Sequence, residues 1–216
     1  TTNWDTSSVT EMGSMFSGAA LMIGSLGAGV VGAHTVAINI ASVFFMLPLS
    51  IGLAAATRIG NLVGEKNLTQ AQYASYVTVL VCFAGACFNT VCIFTLRDSL
   101  VSLYSGDIEV IAIAVNLLLF AAIFQIPDGL QMGALGSLRG YKDTFAPMLM
   151  LIVTYWFIAL PVGYFLTYYG ILGNPLGAAG IWIGMITGLV LFSTLIIPRL
   201  NYTSNKFILK ASQEPL

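Results

Sequence analysis

The chain has 216 residues, of which 57% are hydrophobic and only 8% charged, with a mean hydropathy of +0.89. An ordinary soluble domain carries about 25% charge, so this composition cannot clothe a water-facing surface. A formal net charge of -1 also leaves no basic footprint, and nucleic acid is excluded as a partner.

Crossing the hydrocarbon core takes roughly 20 apolar residues per helix, and six such spans with short connections use the whole length. The apolar runs are continuous rather than alternating, which argues against a lipid-facing barrel. The chain opens with TTNWDTSSVTEMGSM, residues 1–15, a polar lead-in with no helical apolar stripe. It lacks the basic region and short apolar core of a signal peptide, and the missing initiator Met leads us to expect a fragment or a processed chain. Part of it resembles a short repeat of bacterial surface proteins; a cytoplasmic lead-in is the plainer alternative. The six spans then fall at 14–31, 34–58, 74–96, 110–138, 147–169 and 178–198, followed by a tail at 201–216. Pro48, Pro127 and Pro161 lie inside spans and read as kinks, because neighbouring helices can re-satisfy the freed backbone groups.

Orientation follows from Lys and Arg. With six spans, Arg58, Lys66, Arg139, Lys142, Arg199, Lys206 and Lys210 share one side, leaving only Arg97 of the eight basic residues on the other. The positive-inside rule puts that side, and both termini, in the cytoplasm.

Asp128 is the only carboxylate well inside an apolar span. Inserting one costs about 2.5–3.5 kcal/mol, so such residues usually line a cavity or pathway. Gln125 and Gln131 flank it at minus three and plus three, on adjacent parts of one helical face. Phe124, one turn earlier, offers an aromatic wall to a cation. The alternative is that Asp128 marks a polar break between two short helices. A carboxylate in such a cavity can carry a proton, Na⁺ or an organic cation, and ligands that compete for one charge become linked.

Other candidates carry less. His34 reads as an interface anchor, and Asn39 and Asn89 as helix-to-helix hydrogen bonders. Cys82, Cys87 and Cys92 are spaced by five, about 140° apart around a helix, which is wrong for a shared metal site; they read as packing residues. The glycines of residues 27–32 match a dinucleotide fingerprint in letters only, with no strand before them. Asn67 and Asn201 open formal glycosylation sequons on the expected cytoplasmic side. No enzyme motif, metal site or cofactor site is apparent.

Two stretches carry a family resemblance: residues 32–39, GAHTVAIN, continuing through FFMLPLSIGLAAATRIGNLVGEKN to Asn67, and residues 123–147, IFQIPDGLQMGALGSLRGYKDTFAP. Together they resemble the C-terminal half of the multidrug and toxic compound extrusion (MATE) family, NorM branch, over residues 16–200. The resemblance implies an all-α membrane protein: a six-transmembrane-helix bundle equivalent to one half of a twelve-helix transporter. It implies efflux of organic cation drugs by Na⁺- or H⁺-coupled antiport in the bacterial inner membrane, without a cofactor. Asp128 then matches the family's coupling aspartate, with Phe124, Gln125, Gln131 and Asn39 lining the cavity and Na⁺ as the only metal implied. A family glutamate aligns without gaps at Met12; a small gap would bring Glu11 there instead. The absent half implies a complementary N-terminal six-helix partner or a second copy. Two rivals stand beside this reading: a lipid or oligosaccharide flippase of related fold, and a truncated half-bundle without transport.

Overall fold

The computed structural model describes residues 24, 26–104, 106–169 and 173–213. Five long helices follow one another: α1 (Ala28–Gly64), α2 (Leu68–Ser102), α3 (Ile108–Gly140), α4 (Phe145–Tyr168) and α5 (Ala178–Gln213). Each is long and apolar enough to cross a membrane. At 33–37 residues, α1, α2, α3 and α5 would measure about 50–55 Å, more than the ~30 Å core, so their ends extend past it. The lead-in, Glu11 and most of the expected first span lie outside the described residues; its last residues, 28–31, instead form the first turn of α1, which runs without a break into the expected second span. The expected tail continues α5 through Pro198 to Gln213, and Leu200, Thr203 and Ser204 in this stretch are buried.

Local chemistry sets the boundaries. Asn67 caps α2 by accepting from the Gln70 backbone N–H, and Asp107 caps α3 by accepting from Glu109. The α1–α2 and α3–α4 turns share one geometry. Lys66 and Lys142 take left-handed conformations (φ 59° and 60°), while Asn67 N–H reaches Leu62 O and Asp143 N–H reaches Leu138 O. This is the Schellman closure, usually made with glycine.

α3 is the hub, packed against α1, α2 and α5, while α4 lies mainly on α5. From Pro127 to Leu138 it is buried at every position but one, Leu130. Close approach depends on missing side chains. A Cβ on Gly133 would sit 2.8 Å from Val79 Cα of α2, and one on Gly136 2.7 Å from Gly52 Cα of α1. The outer faces are apolar instead: Val43, Met46, Leu80, Phe88, Val91 and Phe157 are all well exposed. Water would not tolerate that surface and lipid does. The molecule is an all-α, membrane-spanning bundle.

Candidate functional site

Asp128 does not sit at a break: α3 runs unbroken through Pro127 and Asp128. Proline removes one N–H from the ladder and crowds the preceding turn, and side chains of α2 and α5 bond to backbone carbonyls on either side of the freed one at Ile123. Ser193 of α5 donates to Pro127 O at 2.9 Å, and Thr90 of α2 donates to Ala122 O at 2.9 Å. In α1 the freed carbonyl itself finds a donor. Pro48 frees the carbonyl of Phe44, four residues earlier, and Asn89 Nδ2 donates to it at 2.8 Å.

The Asp128 carboxylate is 1% exposed, and Gln131 Nε2 donates to its Oδ1 at 2.6 Å. Gln131 is held in turn by Tyr155, whose hydroxyl lies 3.5 Å from Gln131 Oε1. Tyr155 begins a π-helical turn, Tyr155–Ala159, just before Pro161. The wider turn is accommodated by glycines on α5: a Cβ on Gly188 would strike Ala159 Cβ at 2.6 Å. Such turns often mark functional positions. Here the turn sets a buried hydroxyl against the partner of the buried carboxylate.

Gln125 points to a different task. Its Nε2 donates to Ala41 O at 3.2 Å, and its Oε1 lies 3.5 Å from Asn89 Nδ2. It ties α3 to α1 and α2 and does not bond Asp128. The polar face seen in the sequence therefore divides, with Gln131 serving the carboxylate and Gln125 the helix contacts.

Beside Asp128 lies a pocket of about 40 Å³, lined by Ile38, Ala41, Ser42, Phe45, Phe124 and Trp182. Phe124 is buried and meets Trp182 edge to face, with centroids 6.1 Å apart. This volume admits water or a small cation and is far below the roughly 300–1,000 Å³ of drug-sized sites. Asn39 is exposed on α1 and does not line the pocket. His34, expected at an interface, is instead buried against Trp182. Trp182 and Tyr155 escaped the sequence reading: a Trp opening a span looks like an interfacial anchor, and a Tyr inside one looks like packing. Among the described residues no cluster of three or more His, Cys, Asp or Glu could hold a metal.

A second polar cluster closes the end of the bundle where α3 turns into α4. Asp143 Oδ2 accepts from Arg199 Nε and from Thr203 Oγ1, both at 2.7 Å. Partial burial works against ionisation of Asp143, but these two bonds and the charges of Arg199 and Lys206 outweigh it and hold its carboxyl below the usual range. Nearby, Gln72 of α2 donates to Ser204 and Asn205 of α5.

Comparison with known proteins bears on this arrangement. Residues 8–165 match the family model described as MatE. The multidrug resistance protein NorM of Vibrio vulnificus (strain YJ016) is 42% identical over 188 residues, covering 87% of this chain and 41% of the relative. The multidrug resistance protein PmpM of Pseudomonas aeruginosa is 38% identical over 195 residues, covering 90% and 41%. The chain therefore spans about two fifths of the length of the curated relatives it matches. Among solved structures, an outward-facing multidrug resistance MATE family transporter of the MOP superfamily superposes with a TM-score of 0.81 at 15% identity, covering 91% of this chain and 43% of that one. The Vibrio cholerae MATE transporter VcmN in its bent form gives 0.79 at 15% identity, covering 93% and 44%. At such identities the likeness is one of fold.

Proposed function

The chain belongs to the MatE family, and on that premise we propose that it is the C-terminal half of a secondary transporter that expels organic cations in exchange for Na⁺ or H⁺. It is a multi-pass membrane protein of a transporter family, not an enzyme. The bacterial origin of its relatives fits the inner membrane of a bacterium. Assignment to the C-terminal half rests on the two stretches ending at Asn67 and Pro147. The other half of the transporter would be an N-terminal six-helix half, in the same or a separate chain, or a second copy. Both termini are taken as cytoplasmic from the distribution of Lys and Arg.

One observation carries the mechanism: a carboxylate 1% exposed within a continuous helix, bonded to Gln131 and adjoining a small pocket. Such a group in a membrane is expensive and is kept for a pathway or a relay. Asp128 would take a proton or Na⁺ in the pocket, with Gln131 and Tyr155 orienting it and Glu11 as a second acid. The drug would bind in a larger cavity between the halves that opens onto Asp128, because about 40 Å³ cannot hold it. Competition of drug and coupling ion for the same charge would then link release of one to uptake of the other.

The test is ethidium efflux from cells lacking their own pumps. Three forms are compared: this chain alone, the chain joined to a matching N-terminal half, and the joined form carrying Asp128→Asn. Efflux confined to the joined form and lost in the variant is the expected result. A joined form that reaches the membrane and expels nothing would end the drug-pump reading.

A further inference from the structure

His34 is the sole histidine of the chain and is 3% exposed. Neither of its ring nitrogens has a hydrogen-bond partner, and Nε1 of Trp182, itself 1% exposed, has none either. The two rings meet edge to face with centroids 5.8 Å apart. Among the described residues, the only other buried side-chain polar atom in this condition is Oδ1 of Asn201. Partnerless buried polar atoms are uncommon because each forfeits its hydration, and three of them at one ring contact mark a place built for a ligand.

The donor set identifies the ligand's chemistry. Trp182 Nε1 can only donate, while a neutral imidazole donates from one nitrogen and accepts at the other. A bare cation would satisfy neither donor, and an anion would leave the accepting nitrogen unmet. Water supplies lone pairs and hydrogens together.

Position identifies where the water leads. His34, Ile38, Ala41 and Phe45 succeed one another at intervals of four, three and four, a single stripe along α1. Ile38, Ala41 and Phe45 line the Asp128 pocket, and Trp182 is another of its walls. His34 is thus one turn beyond the pocket on the same face and shares a wall with it. We propose that His34 and Trp182 form a water-binding site that extends the Asp128 pocket by one turn toward the start of α1. The pocket's walls are apolar apart from Asp128 and Ser42, so the imidazole and the indole N–H supply the polar partners that a water at this level needs. This site follows from packing, whatever the protein transports.

A lone histidine makes the test direct. The full chain, labelled with ¹⁵N-histidine and with indole-¹⁵N tryptophan, is placed in lipid nanodiscs, and magnetisation transfer from water to the ring N–H groups is recorded by NMR. We expect water cross-peaks at His34 and at Trp182, together with a ring-to-ring contact between them. Trp182→Phe keeps an aromatic ring there, deletes the N–H, and should weaken the His34 cross-peak while leaving the ring contact. Ring contact without water transfer would mean a dry aromatic pair and would overturn the proposal. Water transfer without ring contact would mean an imidazole in bulk solvent and would overturn it equally. An efflux assay that failed would leave both readouts unchanged.

Discussion

Gly136→Ala places a methyl group where α1 and α3 touch backbone to backbone. The new Cβ would lie 2.7 Å from Gly52 Cα, against 3.4–4 Å for ordinary contact. Gly52 O lies nearer still, so the helices would have to part by about 1 Å, and no flexible side chain stands there to give way. Overpacking costs about 1–3 kcal/mol, and a methyl group pressed on rigid backbone falls in the upper part of that range, about 2–3 kcal/mol. Alanine in a helix interior returns about 1 kcal/mol of backbone entropy, so the net loss should be about 1–2 kcal/mol. The control is Gly64→Ala, near the end of the same α1, where nothing lies within 4 Å of the added Cβ; it should be neutral or slightly stabilising. Unfolding of the purified chain by SDS in mixed micelles measures both. Equal stability of Gly136→Ala and the parent would refute the reasoning, because it would mean that α1 and α3 are not in backbone contact.

Other perturbations probe separate parts of the bundle. Asn89→Leu removes the donor to Phe44 O and leaves the carbonyl freed by Pro48 without that partner; about 1 kcal/mol should be lost in the same titration. Lys142→Gly relieves a left-handed residue at the α3–α4 turn and should gain a few tenths to about 1 kcal/mol. Asp143 has its carboxyl held below the usual range in the folded protein, so its contribution is fully present above about pH 4 and is lost as pH falls through the lower folded value. The parent should therefore exceed Asp143→Asn in stability at pH 7, and the gap should narrow only below about pH 4, as read by thermal unfolding across that range. Tyr155→Phe removes the hydroxyl at Gln131 and, in the joined transporter, should reduce efflux less than Asp128→Asn does while shifting its pH profile.

How much of this was legible beforehand depends on the range of the interaction concerned. Apolar runs long enough to span a bilayer gave five of the expected helices, because the cost of unpaired backbone in lipid forces a run of that length into one continuous helix. The same reasoning singled out Asp128, since one carboxylate in a greasy run stands out without any knowledge of its neighbours. Boundaries were less legible: α5 continues past Pro198 for 15 further residues, because a helix buried against its neighbours at Leu200, Thr203 and Ser204 need not stop where apolar character declines.

Pairing across helices was not legible. Gln125 and Gln131 look equivalent by spacing, yet Gln131 serves the carboxylate and Gln125 the contacts to α1 and α2. Asn39 and Asn89 look alike too, yet Asn89 is buried at the carbonyl freed by Pro48 while Asn39 faces outward. Trp182 and Tyr155 join the pocket and the relay from segments whose local pattern says only that they are apolar. The sequence alone determined the solvent, the helical class, most of the spans and the acid at Asp128, because each follows from the transfer of a segment into lipid. Only the tertiary structure decided which polar groups meet, because rotation and crossing of helices are fixed by packing between segments far apart in the chain, such as Gly136 on Gly52.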